Sequence, residues 1–256
     1  MMTPTTQLQL QLRQRPHKQR TVMFQEWKKL LFLHWRVPAD QIQKTLPPGL
    51  TVDTYQGEAF VGVVPFYMQN IRPVYCPAVP GISNFLETNV RTYVYDENGV
   101  PGVWFYSLDA NQWLACWLGK NWFQLPYRYK KMQAQLRPPL QSGFSDKVHY
   151  QLHHSSEKTT RIIYQGKGNA YSAEPGTLEF FLVERYALYA YAKRSDKLYR
   201  GRVYHPPYQI APVAVESYEG LGYLSNFEQV LTPPEHQLYS QGVKVDVYGL
   251  EEVWNP

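Results

Sequence analysis

The stretch "NVRTYVYDENGVPGVWFYSLD" (residues 89–109) sets two runs of β-branched and aromatic residues on either side of a turn. Such residues favour strands, and Asn98-Gly99 between two such runs is a strong signal for a tight β-hairpin. In the first run, Asn89, Arg91 and Tyr93 recur at every second position, so they share one face of the strand. This row of polar groups indicates either a solvent-exposed face or the lining of a polar cavity.

Strand-like runs of similar composition continue on both sides of this hairpin, and neither a long linker nor an internal repeat separates them. The runs are "LLFLHWRV" (30–37), "EAFVGVVPFYM" (58–68), "KVHYQLHH" (147–154), "TRIIYQGKG" (160–168) and "QGVKVDVYGLEEVW" (241–254). The chain is therefore predicted to form one mainly β (α+β) domain over residues 21–256, with antiparallel strands and a few inserted helices.

Three segments are predicted to be helical. A short helix follows Pro38, and apolar residues from Trp113 to Trp122 recur at helical spacing behind Asp109 and Gln112, which fit a capping box. A third helix is predicted from Thr177, as its N-cap, through the aromatic residues up to Tyr189.

Residues 1–20 carry four basic residues and no acidic one. Subtracting these four charges from the net charge of +5 leaves +1 for the rest of the chain, so the body is nearly neutral. The segment is rich in Gln and lacks apolar periodicity, which predicts a disordered tail whose deletion is tolerated, with Met23 as an alternative start. Because the positive charge is concentrated there, no nucleic-acid partner is expected.

The composition also limits which cellular compartment and which cofactors are expected. Cys76 and Cys116 fit no metal-binding spacing, and His149 with His153 lacks an accompanying carboxylate or Cys ligand. Neither a metal nor a cofactor is expected. No apolar run reaches the roughly 18 residues of a membrane span, so a cytoplasmic protein without a membrane partner is predicted.

Several segments in order resemble the YqjF-like family of uncharacterised bacterial proteins. These are "LFLHWRVP", "LPPGL", "VGVVPFYM", "NVRTYV", "PGVWFYSLDA", "LPYRY", "FLVERYALY" and "YRGRVYHPPY". That family in turn is similar to acetoacetate decarboxylase, through "WRVPADQIQKTLPPGL" and the segment from Gly102 to Arg128. The resemblance implies a β cone or barrel around a closed pocket.

The same resemblance implies where a reactive lysine would stand. The decarboxylase forms a Schiff base at the first Lys of a Pro-Lys-Lys sequence, whereas the matching residues here are Pro126, Tyr127 and Arg128. A phenol cannot form an imine, so no Schiff base with a keto acid is expected. A substrate-binding Arg matches Lys28, one pocket Glu falls on Gly62, and the other falls on Glu87 or, with a one-residue slip, on Thr88.

The candidate site combines these positions with other polar residues. Tyr127 and Arg128 are expected to form an anion-binding pocket with Arg91, although Tyr127 in the core and Arg128 in solvent is an equal alternative. His34, within an apolar strand, is either a buried structural residue or part of the site. Glu184 either reaches the pocket as an acid or base, or forms a buried ion pair. Lys28, Glu87 and Tyr93 complete the predicted ligand-binding set.

Two classes of function follow. The first is a protein that binds a small organic molecule, most simply an anion, without turnover. The second is a lyase or hydratase in which Tyr127 works with a carboxylate or His as acid and base, and such an enzyme would show a bell-shaped pH profile. A homo-oligomer stays open in both cases.

Overall fold

The computed structural model describes residues 2–254, so the predicted bounds at Met1 and residue 256 lie outside the described residues. The four helices are α1 (Thr6–Leu12), α2 (Ala39–Gln43), α3 (Trp113–Trp122) and α4 (Leu178–Val183). The strands are β1 (Thr21–Val37), β2 (Thr51–Val52), β3 (Ala59–Pro73), β4 (Phe85–Tyr95), β5 (Pro101–Ala110), β6 (Tyr127–Tyr129), β7 (Lys131–Arg137), β8 (Lys147–His153), β9 (Thr159–Gly166), β10 (Tyr171–Ser172), β11 (Ala187–Ala192), β12 (Lys197–Tyr204), β13 (Gln209–Ala211), β14 (Val213–Glu219) and β15 (His236–Trp254).

Seven strands form a closed barrel in the order β1-β3-β4-β5-β11-β12-β15, and the pairing of β1 with β15 closes it. The predicted β barrel with inserted helices is confirmed. One detail differs, because β11 and β6 both pair with β5 in the parallel direction. The barrel is therefore mostly, but not wholly, antiparallel.

A second sheet, in the order β14-β9-β8-β7, packs on the outside of the barrel wall. Leu31, Leu33 and Trp35 of β1 pack against this sheet, whereas Leu30 and Phe32 belong to the core inside the barrel. Because neighbouring residues of a strand point to opposite faces, β1 needs apolar side chains on both. This double burial explains the continuous apolar run in its sequence.

The predicted hairpin is confirmed as β4 and β5. The amide of Gly99 donates to the carbonyl of Asp96 at 2.9 Å, and Gly99 has a φ of 74°, which glycine adopts without strain. The Asp96 carboxylate accepts hydrogen bonds from the amides of Asn98 and Val100, both at 3.0 Å. The turn is thereby fixed by its own side chain.

Two helix predictions need correction. The N-cap of α3 is Gln112, whose side chain accepts from the amides of Leu114 and Ala115, while Asp109 belongs to β5 and forms an ion pair. The predicted Thr177 cap is present, but α4 ends at Val183 and the aromatic segment that follows becomes β11. This segment pairs with β5 on one side and with β12 on the other, so sheet pairing prevails over helical spacing.

The segment predicted as a disordered tail contains α1, which packs against α4 and the barrel. The buried Gln9 side chain donates to the carbonyls of Phe180 at 3.0 Å and Glu184 at 2.7 Å. Arg13 pairs with the Glu184 carboxylate at 3.1 Å. Composition suggested disorder, but specific polar contacts with residues about 170 positions away order this segment.

No helix among residues 2–254 is long and apolar enough to cross a membrane.

Candidate functional site

A cavity of about 420 Å³ lies inside the barrel. Its walls come from all seven strands of the barrel. Exposed lining residues on α3 and on the connection formed by residues 74–84 mark its mouth. The volume is within the range of about 300–1,000 Å³ that small-molecule sites occupy. Barrels of this kind commonly hold one ligand in the interior.

Polar side chains of β4 line one wall of this cavity. Glu87, Asn89 and Arg91 occupy every second position of the strand and face the interior, while Thr88 points outward to the Tyr150 hydroxyl. Of the predicted row, Asn89 and Arg91 therefore face a cavity rather than solvent, while the buried Tyr93 bonds His34 and does not line the cavity. Glu87, not Thr88, is the carboxyl residue of the interior.

Glu87 forms a pair with Tyr127. The Tyr127 hydroxyl donates to Glu87 Oε2 at 3.0 Å. Tyr127 reaches this place because β6 pairs with β5 and because its ring packs on Gly119 of α3, where a Cβ would lie only 2.4 Å from Tyr127 Cδ2. A side chain at position 119 would displace the ring.

The environment changes the acidity of both groups. Burial raises the pKa of Glu87 to about 8; the hydrogen bond from Tyr127 acts in the opposite direction and the charge of Asp109 adds to the rise. Burial, with the adjacent Glu87, also raises the pKa of the Tyr127 phenol well above its usual value. Glu87 is therefore mainly protonated at neutral pH and can exchange a proton near that pH, as a general acid or base requires.

Arg91 carries a positive charge on the cavity wall. Its Nη2 donates to the carbonyl of Leu182 at 3.2 Å and lies 3.5 Å from the Tyr93 hydroxyl. Its buried Nε has no hydrogen-bond partner in the part of the chain that the structure describes. Within residues 2–254, Arg91 forms no ion pair with a carboxylate.

Arg185 is a second cation of the cavity wall, and sequence reasoning missed it. Its Nη1 pairs with Asp53 at 2.6 Å and its Nε donates to the carbonyl of Phe181 at 2.7 Å, but its buried Nη2 has no hydrogen-bond partner among the described residues. The Oδ1 atom of Asn89 is likewise buried without a hydrogen-bond partner from residues 2–254. The available sequence signal is the charged pair at 184–185, of which only Glu184 is predicted as a site residue.

Arg128 does not reach the cavity, and its predicted role in an anion site with Tyr127 is wrong in geometry. It binds Asp109 through two hydrogen bonds, at 2.6 and 2.9 Å, and its side chain is 50% exposed. Tyr127 faces inward, and the next residue of a strand must face outward. Lys28 is also absent from the cavity wall, because Trp27 faces the interior and its neighbour in the strand must face outward. Lys28 pairs instead with Glu26 at 3.2 Å.

Glu184 is a member of a separate buried cluster rather than of the cavity wall. Its carboxylate accepts from Arg13, from the Tyr186 hydroxyl and, at 3.0 Å, from the amide of Tyr208. The helix ends at Val183 and Glu184 leaves helical geometry, with ψ of 67°, so the two side chains of residues 184 and 185 diverge. The buried ion pair, one of the two alternatives for this residue, is what the structure contains.

His34 and Tyr93 form a hydrogen-bonded chain beyond Arg91. The Tyr93 hydroxyl bonds His34 Nε2 at 2.9 Å, and His34 Nδ1 bonds His236 Nδ1 at 3.1 Å. Burial, with the charges of His236 and Arg91, holds the pKa of His34 well below its usual value. Neither residue lines the cavity, so their geometry fits a support for Arg91 rather than direct contact with a ligand.

No group of three or more His, Cys, Asp or Glu residues that could hold a metal ion occurs in the described part of the chain.

Solved proteins of similar fold include enzymes. MppR, an enduracididine biosynthesis enzyme solved with pyruvate, superposes with a TM-score of 0.64 at 13% identity, covering 93% of each chain. An acetoacetate decarboxylase-like enzyme from Sphingomonas wittichii RW1 superposes with a TM-score of 0.62 at 12% identity, covering 93% of this chain and 95% of that one. At these identities the likeness establishes the fold.

Sequence comparison establishes the family. The uncharacterized protein YqjF of Bacillus subtilis strain 168 is 33% identical over 197 residues, which cover 76% of this chain and 77% of YqjF. The model of the DUF2071 family, described as an uncharacterized conserved protein, matches residues 24–244. With its acetoacetate decarboxylase-like barrel and this match over most of its length, the chain belongs to the DUF2071 family.

Proposed function

We propose that this protein binds a small organic anion, most simply a carboxylate, inside the barrel, with Arg91 and Arg185 holding its charge. The observation that carries the proposal is Arg91, a guanidinium on the cavity wall without a carboxylate partner anywhere in residues 2–254. A half-buried cation in a mostly apolar wall is costly without a counter-ion, and a bound carboxylate supplies both the charge and two parallel acceptors.

The other charges of the wall support this assignment. Asp53 already pairs with Arg185, and Glu87 is mainly neutral at pH 7 because of its raised pKa. Arg91 therefore gives the interior an excess positive charge. The solved neighbour MppR holds pyruvate, a carboxylate. A cytoplasmic location, expected from the sequence, is part of the proposal.

The test is calorimetric titration with 2-oxo acids at pH 7, beginning with pyruvate, on the wild type and on Arg91→Met. We expect the Arg91→Met variant to bind at least about 30-fold more weakly, because it removes the partner of a buried carboxylate. Arg161→Met is the matched control, since Arg161 pairs with Glu219 at 3.3 Å on the surface. Equal binding by Arg91→Met and wild type, or no binding of any carboxylate, contradicts the proposal.

A second function, acid–base catalysis as in a lyase or hydratase, is favoured by the Tyr127–Glu87 pair. Glu87 lies in the cavity with a pKa near 8 and a hydrogen-bonded phenol 3.0 Å away, a combination found at catalytic sites. The cations of the wall are arginines, and the lining contributed by the described residues includes no lysine, which agrees with chemistry that needs no imine.

Proton exchange is the direct readout for this second function. In deuterium oxide, an active acid–base pair would replace the C3 hydrogens of a bound 2-oxo acid with deuterium, which proton NMR detects. Glu87→Gln should abolish exchange and leave binding within a few-fold, because the amide keeps the acceptor for Tyr127. Exchange no faster with wild type than with Glu87→Gln or in buffer leaves binding without turnover as the function.

A further inference from the structure

Most of the cavity wall is apolar. Val64, Phe66 and Met68 of β3 line it beside the polar row of β4, and Phe85 lies opposite Met68 in the pairing of the two strands. Toward the mouth, Leu118 and Trp122 of α3 continue the apolar lining. Water in such a space is poorly hydrogen-bonded, so apolar groups of a ligand are favoured there.

Arg91 and Arg185 lie far from the mouth, whereas Arg72, at the end of β3, and Glu87, near the start of β4, stand closer to it. Phe85 stands next to the connection at residues 74–84, and Arg91 lies six positions further along β4, which corresponds to about 20 Å of strand. Arg185 follows α4, whose carbonyls at Phe181 and Leu182 accept from both arginines. A three-carbon acid held by the arginines would leave the apolar section unfilled.

The mouth itself is apolar on its outer side. Trp122 lines the opening and is 63% exposed, and Trp113 and Trp117, on the same helix, are also exposed. Val79 and Ile82, across the opening, line the cavity and are exposed as well. A ligand therefore passes mainly apolar side chains, with Arg72 and Glu87 beside its path, before it reaches Arg91 and Arg185.

We infer that the ligand is an amphipathic carboxylate, with its charged group at Arg91 and Arg185 and a medium-length aliphatic or aromatic tail along Val64, Phe66 and Met68. The inference rests on the proposed function, because it takes the carboxylate site for granted. It adds that most of the binding free energy comes from the tail. A short acid such as pyruvate is then a weak ligand that occupies the charged end alone.

The experiment is a titration of the wild type with a homologous series: pyruvate, 2-oxobutyrate, 2-oxohexanoate and 2-oxooctanoate, with phenylpyruvate as the aromatic member. Burial of one methylene contributes about 0.8 kcal/mol, so the dissociation constant should fall about fourfold with each added methylene. The matched ketone 2-octanone, which lacks the carboxylate, should bind much more weakly than 2-oxooctanoate.

The outcomes separate the two proposals. Binding of the short acids with no gain, or with a loss, along the series overturns the amphipathic ligand and leaves the carboxylate site intact. No binding of any acid, or binding of 2-octanone as tight as that of 2-oxooctanoate, overturns the carboxylate site itself.

Two variants locate the tail. Val64→Phe fills the apolar section and should remove the gain with chain length while keeping the affinity for pyruvate. Leu118 is a half-buried position of α3, and Leu118→Trp should narrow the mouth. This variant replaces Val64→Phe in the test if Val64→Phe does not fold. Arg91→Met should weaken every acid by a similar factor and keep the increment per methylene. An unchanged increment in both Val64→Phe and Leu118→Trp contradicts a tail in this section.

Discussion

Two glutamates of this protein are buried beside a tyrosine that donates a hydrogen bond to them, yet their surroundings differ. Glu184 also accepts from Arg13 and from the amide of Tyr208, so its charge is fully compensated. Glu87 has Tyr127 but no cationic partner in the described residues, and it faces the cavity. At Glu184 the Glu–Tyr pair is a structural contact, whereas at Glu87 it leaves a carboxyl group that can exchange a proton in the cavity.

The comparison teaches that burial of a carboxyl group does not by itself indicate function. A compensated carboxylate is satisfied by protein atoms alone. An uncompensated one keeps its proton and is left with capacity for a ligand. Three experiments can break or sharpen this distinction between the Glu184 cluster and the Glu87 pair.

The largest effect is expected from Arg13→Ala. This change leaves the fully buried Glu184 without its cation, which should lower the free energy of unfolding by about 3 kcal/mol. Chemical denaturation at pH 7 measures it. Arg15→Ala is the matched control, because Arg15 pairs with Asp246 while its side chain is 59% exposed, and should cost less than about 1 kcal/mol.

Adding Glu184→Gln to Arg13→Ala should restore part of the loss, since the unpaired charge is then removed. Equal stabilities of Arg13→Ala and the wild type would show that Glu184 does not depend on this ion pair. Deletion of residues 1–20 should cost at least as much as Arg13→Ala, contrary to the expectation from sequence, because it also removes the hydrogen bonds of Gln9.

The next effect concerns pH. The pKa of Glu87 in the folded protein, about 8, is above the ordinary value of 4.5, so the folded state retains the proton more strongly than the unfolded state. This contribution is complete below pH 4.5 and is lost as the pH rises toward and through 8. Relative to Glu87→Gln, the wild type should lose roughly 2–3 kcal/mol between pH 5 and pH 7.

Unfolding of both proteins in denaturant at several pH values provides the measurement. The difference between wild type and Glu87→Gln matters, because other groups titrate equally in both. Parallel stability curves from pH 5 to pH 8 would mean that Glu87 is ionised with an ordinary pKa, and the contrast with Glu184 would disappear.

The smallest effect is expected from Tyr127→Phe, which removes one hydrogen bond and should cost about 1 kcal/mol. Because the Tyr127 hydroxyl lowers the pKa of Glu87, its loss should shift the pH window of the wild type upward. Tyr186→Phe is the matched change in the Glu184 cluster. It should lower the free energy of unfolding by about as much as Tyr127→Phe does, and by the same amount at every pH from 5 to 8. A pH-dependent cost for Tyr186→Phe, or none for Tyr127→Phe, would reverse the roles of the two tyrosines.

Much of the fold was predictable from sequence because local signals agree with the tertiary structure. The β4–β5 hairpin follows from its turn residues, and the Thr177 cap follows from a side chain that bonds three residues ahead. The extent of α4 was not predictable, since Tyr186 and Tyr189 suit both helical spacing and a strand. Pairing with β5 and β12 decides that case, and it is a long-range effect.

The candidate site was predictable where strand alternation applied. The period of two on β4 led to Asn89 and Arg91, and the same rule, applied to β6, would have placed Arg128 opposite Tyr127. Arg185 could not be found in this way, because its partner Asp53 lies 132 positions away in the sequence. The contact of Arg13 with Glu184 spans 171 positions and escaped for the same reason.

The pairing of β1 with β15, the seam that closes the barrel, has a consequence for folding. It pairs Thr21 with Tyr248, which are more than 200 positions apart, so its formation carries the largest loop-closure entropy of the barrel. Met23 and Trp27 on one side of the seam and Val247 on the other are part of the cavity wall. The cavity wall is therefore assembled by the most non-local strand pairing among residues 2–254, and a molecule bound there would stabilise a topology that is intrinsically slow to form.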